Sequence, residues 1–266
     1  MFAKEELAER INRIRKENGF PIVPFVIEEV NYDEEGDKLF IIAKDRSDKS
    51  AIIGNSFVIG KLREELGIKQ VTVYSKLDLI IKRKKLEENL KRIKDTLLDF
   101  LIPIIEADFN FPPRKWPTLH NNGRALVFLS FNAKAMLGFA EKVGLEAERI
   151  GIKYTFPKME YEAMEGSLRE LFFPDERKLI DVAKERDLKI IIADFPFDLK
   201  INEDITLLNP LRFFHIGFFE AKYFFGFEKP VRVDKDAMID FVVDMVAEGL
   251  MESTDGANLI WWAWKR

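Results

Sequence analysis

The chain contains no cysteine and only two histidines, His120 and His215. Without cysteine there is no disulfide, iron–sulfur cluster, thiolate zinc site or persulfide chemistry on this polypeptide. Two histidines are too few for a multi-histidine metal centre, and no metal ligands are assigned. Long apolar runs are missing too. No stretch has the length of a membrane span, and Met1-Phe2-Ala3-Lys4-Glu5-Glu6 leads into acidic sequence rather than a signal peptide's apolar region. There is no Ser/His/Asp arrangement, Walker loop or dinucleotide fingerprint, and spacing alone singles out no catalytic pair of carboxylates. Charge of one sign does not dominate: 42 basic against 46 acidic residues leave a net −4, so the whole molecule is no magnet for nucleic acid. The expectation is a cytoplasmic, membrane-free protein poor in the usual catalytic side chains.

What is present suffices for a core. With 266 residues, 47% hydrophobic and 33% charged, the chain suits one larger α/β domain or a small domain joined to a medium one. Its wealth of Lys and Glu resembles hyperthermophile usage.

The pattern divides into two blocks. Ala3, Leu7, Ile11 and Ile14 repeat at helical spacing up to Asn18-Gly19. Strands are expected over Ile22–Val30 and Leu39–Ala43 with a hairpin loop between them. A short helix over Ser47–Ile53, a helix over Val58–Leu66 and a strand over Val71–Tyr74 complete an α-β-β-α-α-β order. A long helix is read from Leu79 to Ile104, ending near Pro103, and residues 106–123 carry turn signals without periodicity. Beyond them, Arg124–Ser130, Arg149–Tyr154 and Lys189–Ala193 read as strands, alternating with helices over Ala133–Val143 and Pro174–Arg186. Strand–helix–strand repetition implies a parallel sheet. Helices near Leu211–Phe225 and Lys235–Leu250 are expected to cover it. The fold class is α/β, with domains at 1–75 and 124–266 joined by the helix and linker of 76–123.

Ile52-Ile53-Gly54-Asn55-Ser56-Phe57 opens a helix that continues through Lys61-Leu62-Arg63-Glu64-Glu65. This segment resembles the core of a type II KH domain, a resemblance covering roughly residues 1–75. It implies an RNA contact at Gly54, Asn55, Ser56 and Lys61, where nucleotide backbone approaches a helix N-terminus. Phe57 stands where the motif has its second glycine, and the spacing is one residue short.

Leu129-Ser130-Phe131-Asn132-Ala133-Lys134-Ala135 joins the first strand of the second block to its first helix. Its placement resembles the PP-loop of the ATP pyrophosphatase (adenine nucleotide α-hydrolase-like, HUP) superfamily, whose Ser-Gly-Gly-x-Asp-Ser cradles ATP phosphates. Ser130 matches the opening serine; Phe131, Asn132, Lys134 and Ala135 replace the glycines, aspartate and closing serine. A cradle needs glycine where amides turn to the anion without an intervening Cβ, so a degenerate nucleotide site is expected. The pairing with a KH-like module resembles archaeal PP-loop proteins that act on RNA.

Lys82, Arg83, Lys84, Lys85, Lys91 and Arg92 form a basic run on the long helix, suited either to phosphate contacts or to a solvated face. Phe213, Phe214, Phe218, Phe219, Phe224 and Phe225 mark an apolar helix, to be buried in the core or between two copies of a homodimer, for which the heptad-like helix from Leu79 to Ile104 is the other candidate interface. His215 within it reads as a core histidine. Trp261, Trp262 and Trp264 are expected to pack on the sheet, base stacking being the other use of such rings. Three functions stay open: a non-catalytic nucleotide-fold protein that binds RNA or partners a PP-loop paralogue, without a cofactor; an ATP- and magnesium-dependent tRNA-modifying enzyme in which Lys134 supplies the phosphate contact; and a structural assembly protein.

Overall fold

The computed structural model describes residues 2–54, 56–109, 116–129, 133–151, 175–202, 204–217 and 235–265. They fall into two compact units, residues 1–84 with 106–116 and residues 85–105 with 117–266. No helix among the described residues is long and apolar enough to cross a membrane.

In the first unit, α1 (Lys4–Glu17) has Glu5 and Glu6 in its first turn and Arg15 and Lys16 in its last, both favourable to the helix dipole. Its stripe of Leu7, Ile11 and Ile14 is wholly buried. Strands β1 (Ile27–Asp33) and β2 (Lys38–Ala43) pair antiparallel, and β2 pairs parallel with β3 (Gln70–Ser75). Helices α2 (Arg46–Ile53) and α3 (Phe57–Leu66) lie between β2 and β3 in the chain. Leu39, Ile41, Ile52, Val58 and Leu62 join the α1 stripe in one core. The first strand begins five residues later than its apolar pattern suggests. Pro21 and Pro24 lack the N–H that a ladder needs, so pairing starts only at Ile27.

Helix α4 (Lys76–Ile93) starts with a reciprocal cap: Ser75 Oγ accepts from the Asp78 amide and Asp78 Oδ2 from the Ser75 amide, both at 3.1 Å. Asp78 is buried and also accepts from Arg46 Nε at 3.1 Å and Lys49 Nζ at 2.9 Å. Burial raises its pKa, but the Lys49 charge and hydrogen bond, with the Ser75 bonds, outweigh burial and hold the carboxyl below its ordinary value. A depressed folded pKa gives stability that is present above the unfolded value, about 3.9, and lost as pH falls through the folded one. Asp78→Asn is therefore expected to lose about 3 kcal/mol at pH 7. In urea titrations its deficit against wild type should shrink below pH 4; an equal deficit at pH 7 and pH 3 contradicts the assignment.

The helix read from Leu79 to Ile104 is two helices. α4 stops at Ile93, Asp95 takes φ +60°, a 3₁₀ turn covers Asp99–Leu101, and α5 runs Ile102–Phe109. Pro103 lies in the first turn of α5, where its missing N–H has no intrahelical partner to lose. It starts a helix rather than ending one.

The second unit is α/β. Its sheet has the order β5-β4-β6-β8-β7, from β4 (Arg124–Leu129), β5 (Glu146–Gly151), β6 (Ile190–Ile192), β7 (Leu199–Asn202) and β8 (Ile205–Leu208). All pairs are parallel except the β7–β8 hairpin. Helices α6 (Ala133–Lys142) and α7 (Glu176–Glu185) connect the parallel strands, with Asp175 capping α7 through the Arg177 and Lys178 amides. Residues 126–129 of β4 are fully or almost fully buried, in keeping with a strand covered on both faces.

The phenylalanine helix expected over Leu211–Phe225 is cut short. Asn209 caps α8 (Pro210–Phe213), and His215 at φ +48° lies just beyond the helix end. Phe213 and Phe214 are wholly buried, edge to face at 4.9 Å; Phe218, Phe219, Phe224 and Phe225 lie outside the described residues. Finally α9 (Lys235–Ala247) and α10 (Ser253–Trp264) pair around a core of their own, including Met238, Phe241, Val242, Met245, Leu259 and Ala263. Trp261 and Trp264, expected to pack on the sheet, are exposed.

Candidate functional site

The α2–α3 loop of the first unit is set by Gly54 and Arg15. Gly54 ends α2 in the left-handed region at φ +52°, and a Cβ there would lie 2.3 Å from Val58 Cγ2. Arg15, only 5% exposed, donates from Nε to the Pro21 carbonyl at 2.9 Å and from Nη1 to the Ala51 carbonyl at 2.5 Å. It thereby ties α1, the chain after it and the end of α2 to one another. Nothing in the sequence marks Arg15, which reads as an ordinary dipole-compensating residue.

Ser56 enters α3 at φ +63°, and Asn55 lies outside the described residues. The amides of Phe57 and Val58 both donate to the Gly54 carbonyl, at 3.2 and 3.3 Å. They are thus directed back into the loop rather than outward. Phe57 stands 41% exposed, its ring tilted against Phe20 at 5.6 Å. Lys61 Nζ lies 6.0 Å from that ring and 2.9 Å from Glu64 Oε2, and its hydrogen bond and charge hold Glu64 below the usual carboxylate range. The start of α3 therefore presents an exposed aromatic ring with a lysine beside it.

The basic run on α4 separates into different environments. Lys82 points inward, its side chain 9% exposed and 2.9 Å from Asp108 Oδ2. Arg92 is held by Asn89 Oδ1 at 2.8 Å, Asp198 Oδ2 at 2.9 Å and the Leu199 carbonyl at 2.6 Å. Lys85 is half-buried, whereas Arg83, Lys84, Lys91 and the following Lys94 are exposed. Arg83 lies 5.5 Å from the Phe109 ring. A charge run does not say which cations turn inward; Lys82 does because it lies four residues before the buried Leu86, on the same side of the helix.

In the second unit, β4 has β5 on one side and β6 on the other, so the strand order reverses there. In open α/β sheets ligands bind outside the carboxyl ends of the strands at such a reversal. Ser130, Phe131 and Asn132 lie outside the described residues. Lys134 is exposed in the first turn of α6, while Ala135 is buried and has no hydroxyl to offer. The described part of the loop therefore does not fit the ATP cradle of the PP-loop superfamily. Three buried polar residues, Asp194, Asn209 and Arg212, follow the carboxyl ends of β6 and β8. Asn209 accepts from the Leu211 and Arg212 amides and donates to the Phe195 carbonyl at 2.8 Å. Arg212 is paired with Glu248. Asn209 was legible as a helix cap because Pro210 follows it; Asp194 and Arg212 carry no such signal.

No protein-family model, no curated protein and no solved structure matches this chain.

Proposed function

We propose that the chain is a non-catalytic nucleotide-fold protein that binds RNA through a KH-like first unit, alone or beside a PP-loop RNA-modifying partner. The observation that carries the reading is the α-β-β-α-α-β order of that unit, with the loop from Gly54 to Phe57 between α2 and α3. Phe57 and Lys61 replace the glycine-backbone contact of a KH loop with an aromatic and a cationic one. Arg83 and Lys84, which belong to the same unit, supply exposed positive charge for the sugar–phosphate chain. The second unit contributes the HUP-like nucleotide-fold architecture, without catalysis and without a cofactor. Pairing of two copies belongs to the same proposal, but Phe213 and Phe214 take no part in it because both are buried within their own unit.

The test is fluorescence anisotropy with a mixed-sequence single-stranded RNA between 50 and 200 mM salt, on the order of the range over which phosphate contacts separate. Binding should weaken with salt by roughly 0.7 in log–log slope per phosphate contact. Changing Arg83 and Lys84 to Glu should cost about tenfold in affinity at low salt and flatten that slope. Absence of binding at low salt, or a variant that binds as tightly as wild type, overturns the reading. Release of AMP and pyrophosphate from ATP in the presence of RNA moves the chain to the alternative, an ATP- and magnesium-dependent tRNA-modifying enzyme.

A further inference from the structure

The α9–α10 pair buries what it needs without its last tryptophans. Leu259 and Ala263 face Met238, Phe241, Val242 and Met245, and Gly256 permits a close approach, since a Cβ there would lie 2.6 Å from Val242 Cγ1. Trp261 and Trp264 point the other way and are each 60% exposed. Large aromatic side chains left in water signal a binding role more strongly than scattered aliphatic ones do. Each ring has a cation beside it: Lys265 Nζ is 3.7 Å from the Trp261 ring centroid and Lys235 Nζ 5.4 Å from that of Trp264. The other exposed residues of α10 are Ser253, Thr254, Ala257 and Asn258, so no exposed side chain on this helix is acidic among the described residues.

We propose that this outer face of α10 is a stacking platform for single-stranded nucleic acid, separate from the first unit and able to act without it. Spacing of three residues sets Trp261 and Trp264 side by side on the helix. Flat apolar surface next to a cation, repeated once, matches a strand that repeats a flat base next to an anionic phosphate. Bases stack on the indoles, and Lys235 and Lys265 turn from the rings to the phosphates. The apolar area is too small for a bilayer-seated helix, because Thr254 and Asn258 occupy the same face where such a helix needs a continuous apolar side. A second copy meets the Trp face less well: the exposed carboxylates Asp236 and Asp240 on α9 match its lysines but offer its rings nothing flat.

The experiment titrates the full chain with a dodecamer of oligouridylate, following tryptophan fluorescence and the anisotropy of a labelled strand. Quenching is expected. Trp261→Ala and Trp264→Ala should each weaken binding roughly tenfold, as loss of one stacked base does, while Trp261→Phe and Trp264→Phe keep most of it. Both positions are exposed, so unchanged thermal unfolding should accompany the loss. If the Glu variant of Arg83 and Lys84 keeps the quench, the reading of the first unit fails and this one stands. If that variant loses binding while the alanine variants bind like wild type, the reverse holds. Two further outcomes overturn the proposal: quenching by anionic phospholipid vesicles without quenching by the oligonucleotide, or a dimer in light scattering that the alanine variants dissociate and the oligonucleotide leaves intact.

Discussion

Lys82→Ala is expected to destabilise the first unit by about 3–5 kcal/mol, the largest single effect among the basic residues of α4. The ammonium and the Asp108 carboxylate are 2.9 Å apart with side chains 9% and 3% exposed, so both charges have left water. The contact is an ion pair without good hydrogen-bond alignment at Asp108 Oδ2. Truncating the lysine leaves the buried carboxylate without its ion-pair partner. Most of the loss is therefore the penalty on Asp108, not the worth of the pair. This separates the explanation from simple loss of packing: the double replacement Lys82→Met with Asp108→Leu should recover most of the stability, because neither charge of the pair remains buried. Urea unfolding followed by circular dichroism reads both. A double variant as unstable as Lys82→Ala would mean that packing, not the stranded charge, sets the cost. Lys84→Ala, at an exposed position of the same helix, should change stability by less than about 0.5 kcal/mol.

The same residue marks where sequence reading stops. The α-β-β-α-α-β order of the first unit was legible because each apolar stripe has one period and each helix ends at a glycine: Gly19 after α1, Gly54 after α2 and Gly67 after α3, all at positive φ. The parallel sheet was legible from the continuous apolar runs at Leu126–Leu129 and Ile190–Ile192. The β7–β8 hairpin was missed because Leu199-Lys200-Ile201-Asn202 is short and its loop, around Asp204, has no Asn-Gly or Asp-Gly signal. The Leu79–Ile104 stripe misled because its heptad-like steps continue through residues 94–98, where the backbone turns. Periodicity constrains which side is apolar, not whether the helix is continuous. Tertiary polarity is less legible still. Arg15, Lys82 and Arg212 are buried arginines and lysines whose partners are carbonyls or carboxylates far away in sequence, and no local pattern announces them. Trp261 and Trp264 erred in the opposite sense: hydrophobicity suggested burial, but Leu259 and Ala263 had already filled the inner side of α10.

Gly151→Ala is expected to cost the second unit about 3 kcal/mol or more, although it adds a single methyl group at a strand end. Gly151 is the last residue of β5 and is paired in register with Leu129, the last residue of β4. Its φ of +138° is a region that L side chains rarely adopt, so alanine must either accept the strain or turn the backbone and lose the pairing. Turning is also resisted by space. A Cβ would lie 2.7 Å from the Leu129 carbonyl oxygen and 2.9 Å from the Leu129 nitrogen, and a neighbouring main chain has no rotamer to move into. The two strands must then part at their carboxyl ends, where β4 leads into Ser130 and the strand order reverses. Gly60→Ala supplies the contrasting sign. Gly60 is inside α3 with nothing within 4 Å of its added Cβ, so alanine should stabilise the first unit by about 1 kcal/mol through helix propensity alone. Urea midpoints of the two variants should lie on opposite sides of wild type. A Gly151→Ala chain that unfolds at the wild-type midpoint means that β4 and β5 do not approach as closely as their register implies.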